Sequence, residues 1–145
     1  MEFGFFGINA GVMADPATMV EAAVTAEAAG WESIWTGEHL VAVSPQRAPS
    51  PVRPDTHFVD QVASLAHLAA HTTTLRLGTG IVILPQRNPV VLAKELASID
   101  VLSGGRLEAG FGVGYVPAEF DAIGVPFSER GARMDDHIDA LRAMW

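Results

Sequence analysis

Glu38 and His39 are the residues of this chain best suited to moving a proton. They stand side by side just past Ser33 to Thr36, a short segment that reads as a β-strand. An imidazole in that place can take or give a proton near neutral pH, with the adjacent carboxylate orienting it. The same pair can instead tie down the loop that follows. A second chemistry-bearing run is Gly110-Phe111-Gly112-Val113-Gly114-Tyr115. Its spacing is GxGxG, no helix starts immediately after it, and no acidic residue follows in the expected place, so it does not read as a dinucleotide fingerprint. His67 and His71 have the spacing of helical zinc ligands. Leu68 stands where a zinc protease needs Glu, however, and no third ligand is evident, so they read as an exposed helix end. Arg87-Asn88 follows another apolar segment; the Arg could meet an anionic group, and the Asn is placed to cap a helix.

The elements that must position these groups are legible as a repeated unit. Leu75 to Leu84 is too short and too β-branched for a helix, and Gly78 and Gly80 interrupt it where a bulge or a close backbone approach is expected. Asn88-Pro89 then opens a helix whose apolar stripe is Leu92, Leu96, Ile99 and Leu102, and Ser103-Gly104-Gly105 ends it. Arg106 to Gly112 is the next strand. Upstream, Glu2 to Ile8 reads as a first strand. Asp15-Pro16 reads as a cap and first helical position, with a helix from Met19 to Ala29 stopped by Gly30. A Pro-rich loop from Glu38 to about His57 leads to a helix from Phe58 to His71. A loop from Gly114 to Pro126 precedes a last helix that begins near Ser128 and runs through Met134, Ile138 and Leu141 to Trp145, with its charged residues forming a solvated face. Phe3, Phe5, Trp31 and Trp35 lie in or beside strands and are expected in the core.

Composition narrows the function classes. The chain has 145 residues, 49% hydrophobic and 18% charged, which suits one domain with a real core. Nine basic against seventeen acidic residues give a formal charge of -8, which argues against nucleic acid and anionic membranes as partners. The absence of cysteine excludes disulfides, thiolate metal sites and a Cys nucleophile. MEFGFFGINAG has no basic leader, so it reads as a strand rather than a signal peptide, and no run has the length of a membrane span. These features lead to an expectation of a cytoplasmic protein acting on a small molecule.

Four strands alternating with four helices make a parallel sheet. Two architectures accommodate it: a small open doubly wound sheet, or the first half of a (β/α)8 barrel. Length favours the open sheet, because a closed barrel needs roughly 250 residues.

The motifs favour the barrel. AEAAGWESIWTGEHL, LRLGTGIVILPQRNPVVLAKELASIDVLSGGRLEAGFGVGY and EFDAIGVPFSERGARMDDHIDALRAMW, in that order and spacing, resemble the luciferase-like monooxygenase superfamily, and within it the branch of oxidoreductases that use the deazaflavin coenzyme F420. The resemblance runs from Phe3 to Trp145 and covers the N-terminal half of such a barrel. The later strands, which in that family hold the coenzyme's phosphate-bearing tail, have no counterpart here. By resemblance, Thr79, Gly80 and Ile81 form a bulge beneath the coenzyme's central ring, with Gly80–Ile81 the expected non-prolyl cis peptide. By the same resemblance Gly112 and Gly114 let the ring approach the backbone and Tyr115 lines its pocket. Glu38 would orient the ring and His39 would handle a proton, although Glu stands where relatives have Asp. Some relatives carry a carboxylic acid at the Tyr115 position, and Glu119 is only a loose substitute for it. The resemblance implies hydride transfer between a deazaflavin and an organic substrate. A flavin mononucleotide (FMN) monooxygenase is the alternative within the same barrel. A non-catalytic half-barrel, associating with itself through its open edges, is the alternative outside enzymes.

Overall fold

A computed structural model describes all of residues 1–145. Strand β1 is Gly4–Phe6, β2 Ser33–Thr36, β3 Arg76–Ile83 and β4 Leu107–Gly112. The helices are α1 Pro16–Ala28, α2 Gln61–Ala69, α3 Pro89–Ser103, α4 Pro117–Ala122 and α5 Arg130–Met144. All strand pairs are parallel and the sheet order is β1-β2-β3-β4. Each strand therefore lies beside its sequence neighbour, with no reversal of order.

That order decides between the two architectures. A doubly wound sheet reverses direction and covers both faces with helices. Here Met19 and Ala23 of α1, Leu65 and Leu68 of α2, Leu92, Leu96 and Ile99 of α3, and Leu141 of α5 join one buried cluster with Ile34 and Leu77 of the sheet. All the long helices thus pack on one face, as in an arc of a barrel. Strand alternation turns the other set of side chains to the opposite face. On that face stand Phe6, Trp35, Gly78, Gly80, Gly110 and Gly112, with Arg76 and Glu108 forming an ion pair at the N-terminal end. Trp35 lies across Gly78, where a Cβ would meet its indole at 2.2 Å.

Most element boundaries follow local chemistry. Asp15 caps α1 by accepting from the Thr18 N–H, Pro16 occupies the first turn, and Gly30 beyond its end has φ +75°. Asn88 caps α3 and Gly104 ends it in the left-handed region. Several expectations need correction. The second helix starts at Gln61 rather than Phe58, because Asp60 takes the cap and Phe58 lies in an antiparallel bridge facing Ala10. Leu102 is 67% exposed, while Ser103 takes the buried position at the end of α3. The loop after β4 contains helix α4, opened by Pro117, and α5 begins at Arg130 after a 3₁₀ turn over Phe127–Glu129. Phe3 and Trp31 are exposed and meet at a tilt of 42°, centroids 6.4 Å apart, beside β1. No helix is long and apolar enough to cross a membrane.

Glu27 links α1 to the turn before β3. Its carboxylate accepts the backbone N–H groups of Thr73, Thr74 and Leu75 at 2.8, 2.6 and 2.9 Å. Burial alone would raise its pKa, but these three donors outweigh it and bring the value from the ordinary 4.5 to about 2. A depressed carboxylate stabilises the fold above its unfolded pKa. That contribution is expected to be lost as pH falls from 4.5 toward 2. Glu27→Gln should cost about 1 kcal/mol at neutral pH, given the solvent screening of this position, and should flatten the acid limb of stability against pH. Urea unfolding of both forms at several pH values checks both effects.

Candidate functional site

The C-terminal ends of the four strands open into a cavity of about 600 Å³. Its making begins with a break in the β3–β4 ladder. Thr79 pairs with Ala109 and Val82 with Phe111, so β3 spends one more residue than β4 between those pairs. The Gly80–Ile81 peptide within that extra stretch is cis. The Thr79 hydroxyl accepts the Gly110 N–H and donates to the Gly110 carbonyl, both at 2.8 Å, in place of regular ladder bonds. From below, Gln61 is buried and donates to the Ile81 carbonyl at 3.5 Å, and it accepts from the Thr36 hydroxyl at 3.3 Å.

The floor of the cavity is backbone. Gly7, Gly37, Gly80, Gly112 and Gly114 line it, with Phe6, Phe58, Ile81, Val113 and Tyr115 supplying apolar walls. At two of these glycines a side chain would require a neighbour to move. A Cβ at Gly112 would lie 2.5 Å from the Ile81 side chain, and Gly114 combines φ +76° with the Ile83 side chain at 2.6 Å.

The structure brings Glu38, His39, Gly80, Ile81, Gly112, Gly114 and Tyr115 to this one cavity. Thr79 is the exception among the residues singled out from sequence. It is buried in the bulge, bonded to Gly110, and lies outside the lining.

The two members of the Glu38-His39 pair turn to different partners. Both Glu38 oxygens are engaged: one by the guanidinium of Arg87, whose Nε lies at 2.9 Å and whose Nη2 also contacts it, the other by the Ile83 N–H. Arg87 also donates to Asp60 at 2.7 Å, and Asp60 caps α2 through its other oxygen, accepting from Val62 and Ala63. One cation therefore joins the ends of β2 and β3 to the start of α2. Burial would lower the Arg87 pKa, but the Glu38 and Asp60 charges raise it further above the ordinary arginine value. Burial would raise the Asp60 pKa, and the Arg87 hydrogen bond holds it below the usual carboxylate range.

His39 instead faces Glu119. Its Nδ1 lies 2.8 Å from the Glu119 carboxylate, which is 1% exposed and lies on α4. Phe58 and Tyr115 meet the imidazole edge to face, at centroid distances of 5.7 and 6.4 Å. Asn9, fully buried, fixes Gly37, two residues before His39: its side chain donates to the carbonyls of Gly37 and Val59 and accepts the Gly37 N–H.

The remaining candidates take other places. Asn88 caps α3, accepting from Val90 and Val91. The His71 ring bonds the His67 carbonyl, and the two rings lie 4.6 Å apart. No group of three or more potential metal-ligating side chains gathers anywhere. Sequence reasoning missed Asp60, Asn9 and Gln61; it allowed Arg87 an anionic partner without identifying Glu38, and it took Glu119 only as a loose substitute for an acid at the Tyr115 position. Arg87 carried a signal, since a cation directly after a strand on the same rim as Glu38 has a carboxylate within reach. Glu119 was reached only through the resemblance, and its contact with His39 had no signal because α4 was not foreseen.

Comparison with known proteins places this site in context. A family model described as luciferase-like monooxygenase matches residues 1–145. The oxygenase component of the flavin-dependent trigonelline monooxygenase of Acinetobacter baylyi is 34% identical over 129 residues, which is 88% of this chain and 33% of that protein. The crystal structure of a monooxygenase from Streptomyces bottropensis superposes with a TM-score of 0.78 at 31% identity, covering 100% of this chain and 43% of that one. The coenzyme F420-dependent tetrahydromethanopterin reductase of Methanopyrus kandleri gives a TM-score of 0.62 at 26% identity, covering 87% of this chain and 30% of that one. The chain thus spans less than half the length of each of these relatives.

Proposed function

The chain belongs to the luciferase-like monooxygenase family, and from that premise we propose that residues 1–145 are the N-terminal half of a barrel domain that transfers hydride between coenzyme F420 and a small organic substrate. The observation that carries this reading is the glycine-floored cavity of about 600 Å³ with His39 in its wall. That volume suits a flat tricyclic ring with a small substrate above it. The floor suits it as well, because Gly7, Gly37, Gly80, Gly112 and Gly114 present backbone and no side chains to the cavity. Gly80, Ile81, Gly112, Gly114 and Tyr115 would hold the ring, and Phe6 and Phe58 would help exclude water. A bound deazaflavin would supply the capacity to take or give hydride. The protein would supply orientation and the proton, which leaves or joins the substrate oxygen at His39. Glu38 would act through the backbone, anchoring the β3 end, since its oxygens are occupied by Arg87 and Ile83.

A second reading, an FMN-dependent monooxygenase, is supported by two relatives above 30% identity that are monooxygenases, one of them flavin-dependent. The two readings differ in their need for oxygen. Under the first, the protein mixed anaerobically with oxidised coenzyme F420 and a panel of small alcohols is expected to bleach the coenzyme's absorbance. Turnover that demands FMN and molecular oxygen would replace the first reading with the second. A non-catalytic role is supported by the unpaired outer edges of β1 and β4 and by exposed Phe3 and Trp31, with a second copy of the chain as partner.

A further inference from the structure

We propose that Glu119 is a positioning residue that fixes the tautomer of His39, so that Nε2 is the proton-accepting atom of the site. The proposal deepens the reading above and rests on it for the identity of the reaction, but not for the state of the imidazole. The two residues are eighty positions apart, and the short helix α4 brings them together. Glu119 is 1% exposed and Phe120 beside it is fully buried, so the carboxylate sits on an element anchored in the packed interior. Its second oxygen accepts from Gln86 Nε2 at 3.4 Å. A carboxylate only accepts hydrogen bonds when ionised. With Glu119 ionised and its Oε1 at 2.8 Å, the neutral imidazole carries its proton on Nδ1. Nε2 then presents a lone pair.

The chemistry follows from that arrangement. Nε2 takes the proton of a substrate hydroxyl: the O–H bond breaks, its electron pair stays on oxygen, and an N–H bond forms. The resulting imidazolium carries its charge beside the Glu119 carboxylate, which stabilises it without itself taking the proton. Without the carboxylate, the imidazole is free to hold its proton on Nε2 and offer nothing to the substrate.

The groups facing His39 are Glu119, the Phe58 ring and Tyr115, and Glu38 adjoins it in the chain with its carboxylate held by Arg87. Glu119 is thus the one partner able to choose between the ring nitrogens.

The test is ¹⁵N NMR of the histidine-labelled protein at a pH where imidazole is neutral, with no coenzyme present. The wild-type chain is expected to show His39 with a protonated Nδ1 and an unprotonated, downfield Nε2. Glu119→Ala should lose that downfield Nε2 signal, and Glu119→Asp should restore it at least in part. Where turnover is measured, Glu119→Gln should lower kcat by about 10²-fold or more with little change in KM. A wild-type spectrum with Nε2 protonated overturns the proposal even if no variant folds, as does an Nε2 signal unmoved in a folded Glu119→Ala. A wild-type tautomer as expected, in a chain that binds neither F420 nor FMN, would leave the assignment of Glu119 standing and remove the coenzyme reading instead.

Discussion

Replacing His39 by alanine is expected to cut turnover by about 10²- to 10⁴-fold, the usual worth of a positioned acid–base group, while coenzyme affinity stays nearly unchanged. The two effects separate because the walls and floor of the cavity are built mostly by other residues. Phe6, Ile81, Tyr115 and the glycines form most of its lining, whereas His39 contributes the one imidazole there and the nitrogen left over by Glu119. A loss in kcat with KM little moved is the signature of an interaction made chiefly in the transition state. Steady-state kinetics and a parallel coenzyme titration of wild type and His39→Ala decide the point. Unchanged kcat would remove His39 from the mechanism.

The second large effect is on stability. Arg87→Ala is expected to lower the unfolding free energy by about 3 kcal/mol or more, because breaking a buried ion pair from one side strands the other charge. Glu38 would be that stranded charge: its side chain is 3% exposed, and only the Ile83 N–H would remain to it. Asp60 would keep its role as the α2 cap but lose its cation. Arg87→Lys should recover only part of the loss, since an ammonium cannot reproduce contacts made by both Nε and Nη2. The pH dependence has a definite sign. The Asp60 pKa is depressed, so its share of the stability is present above the ordinary carboxylate value of 3.8 and is lost as pH falls below it. The Arg87 pKa is raised, so its share would be lost only in strongly alkaline solution. Denaturant unfolding gives the comparison. A loss below about 1 kcal/mol would place the triad among weakly contributing surface pairs.

How much of this was legible in the sequence varies with how local the cause is. The caps Asp15 and Asn88, the Pro residues after them, and Gly104 act within one turn, and the elements they bound are found where they point. The expected cis bond at Gly80–Ile81 is present, although it came from the family resemblance and not from the pattern of residues. Leu102 has helical spacing with Ile99 yet faces outward, because a stripe fixes a face only to within a residue at the end of a helix. Phe3 and Trp31 have core chemistry but sit at the β1 edge of the sheet, where both are exposed. The site itself was half visible. The strand ends and glycines announce where it lies, but the fates of Glu38 and His39 depend on Arg87, Asp60 and Glu119, which lie 22 to 80 residues away. Contacts over such separations are set by the fold and leave no periodic trace.

If residues 1–145 form a ring-binding cavity over the β3 bulge, the isolated chain binds the ring. The most direct measurement is titration of the purified chain with coenzyme F420 and, in parallel, with FMN, followed by fluorescence, for wild type and Gly112→Val. Saturable binding of one coenzyme by the wild type, weakened about tenfold or more in a folded Gly112→Val, is the predicted result, since the new side chain would press on Ile81 where a Cβ already approaches it to 2.5 Å. Binding of neither coenzyme by the folded wild-type chain, or equal binding by both proteins, would contradict it.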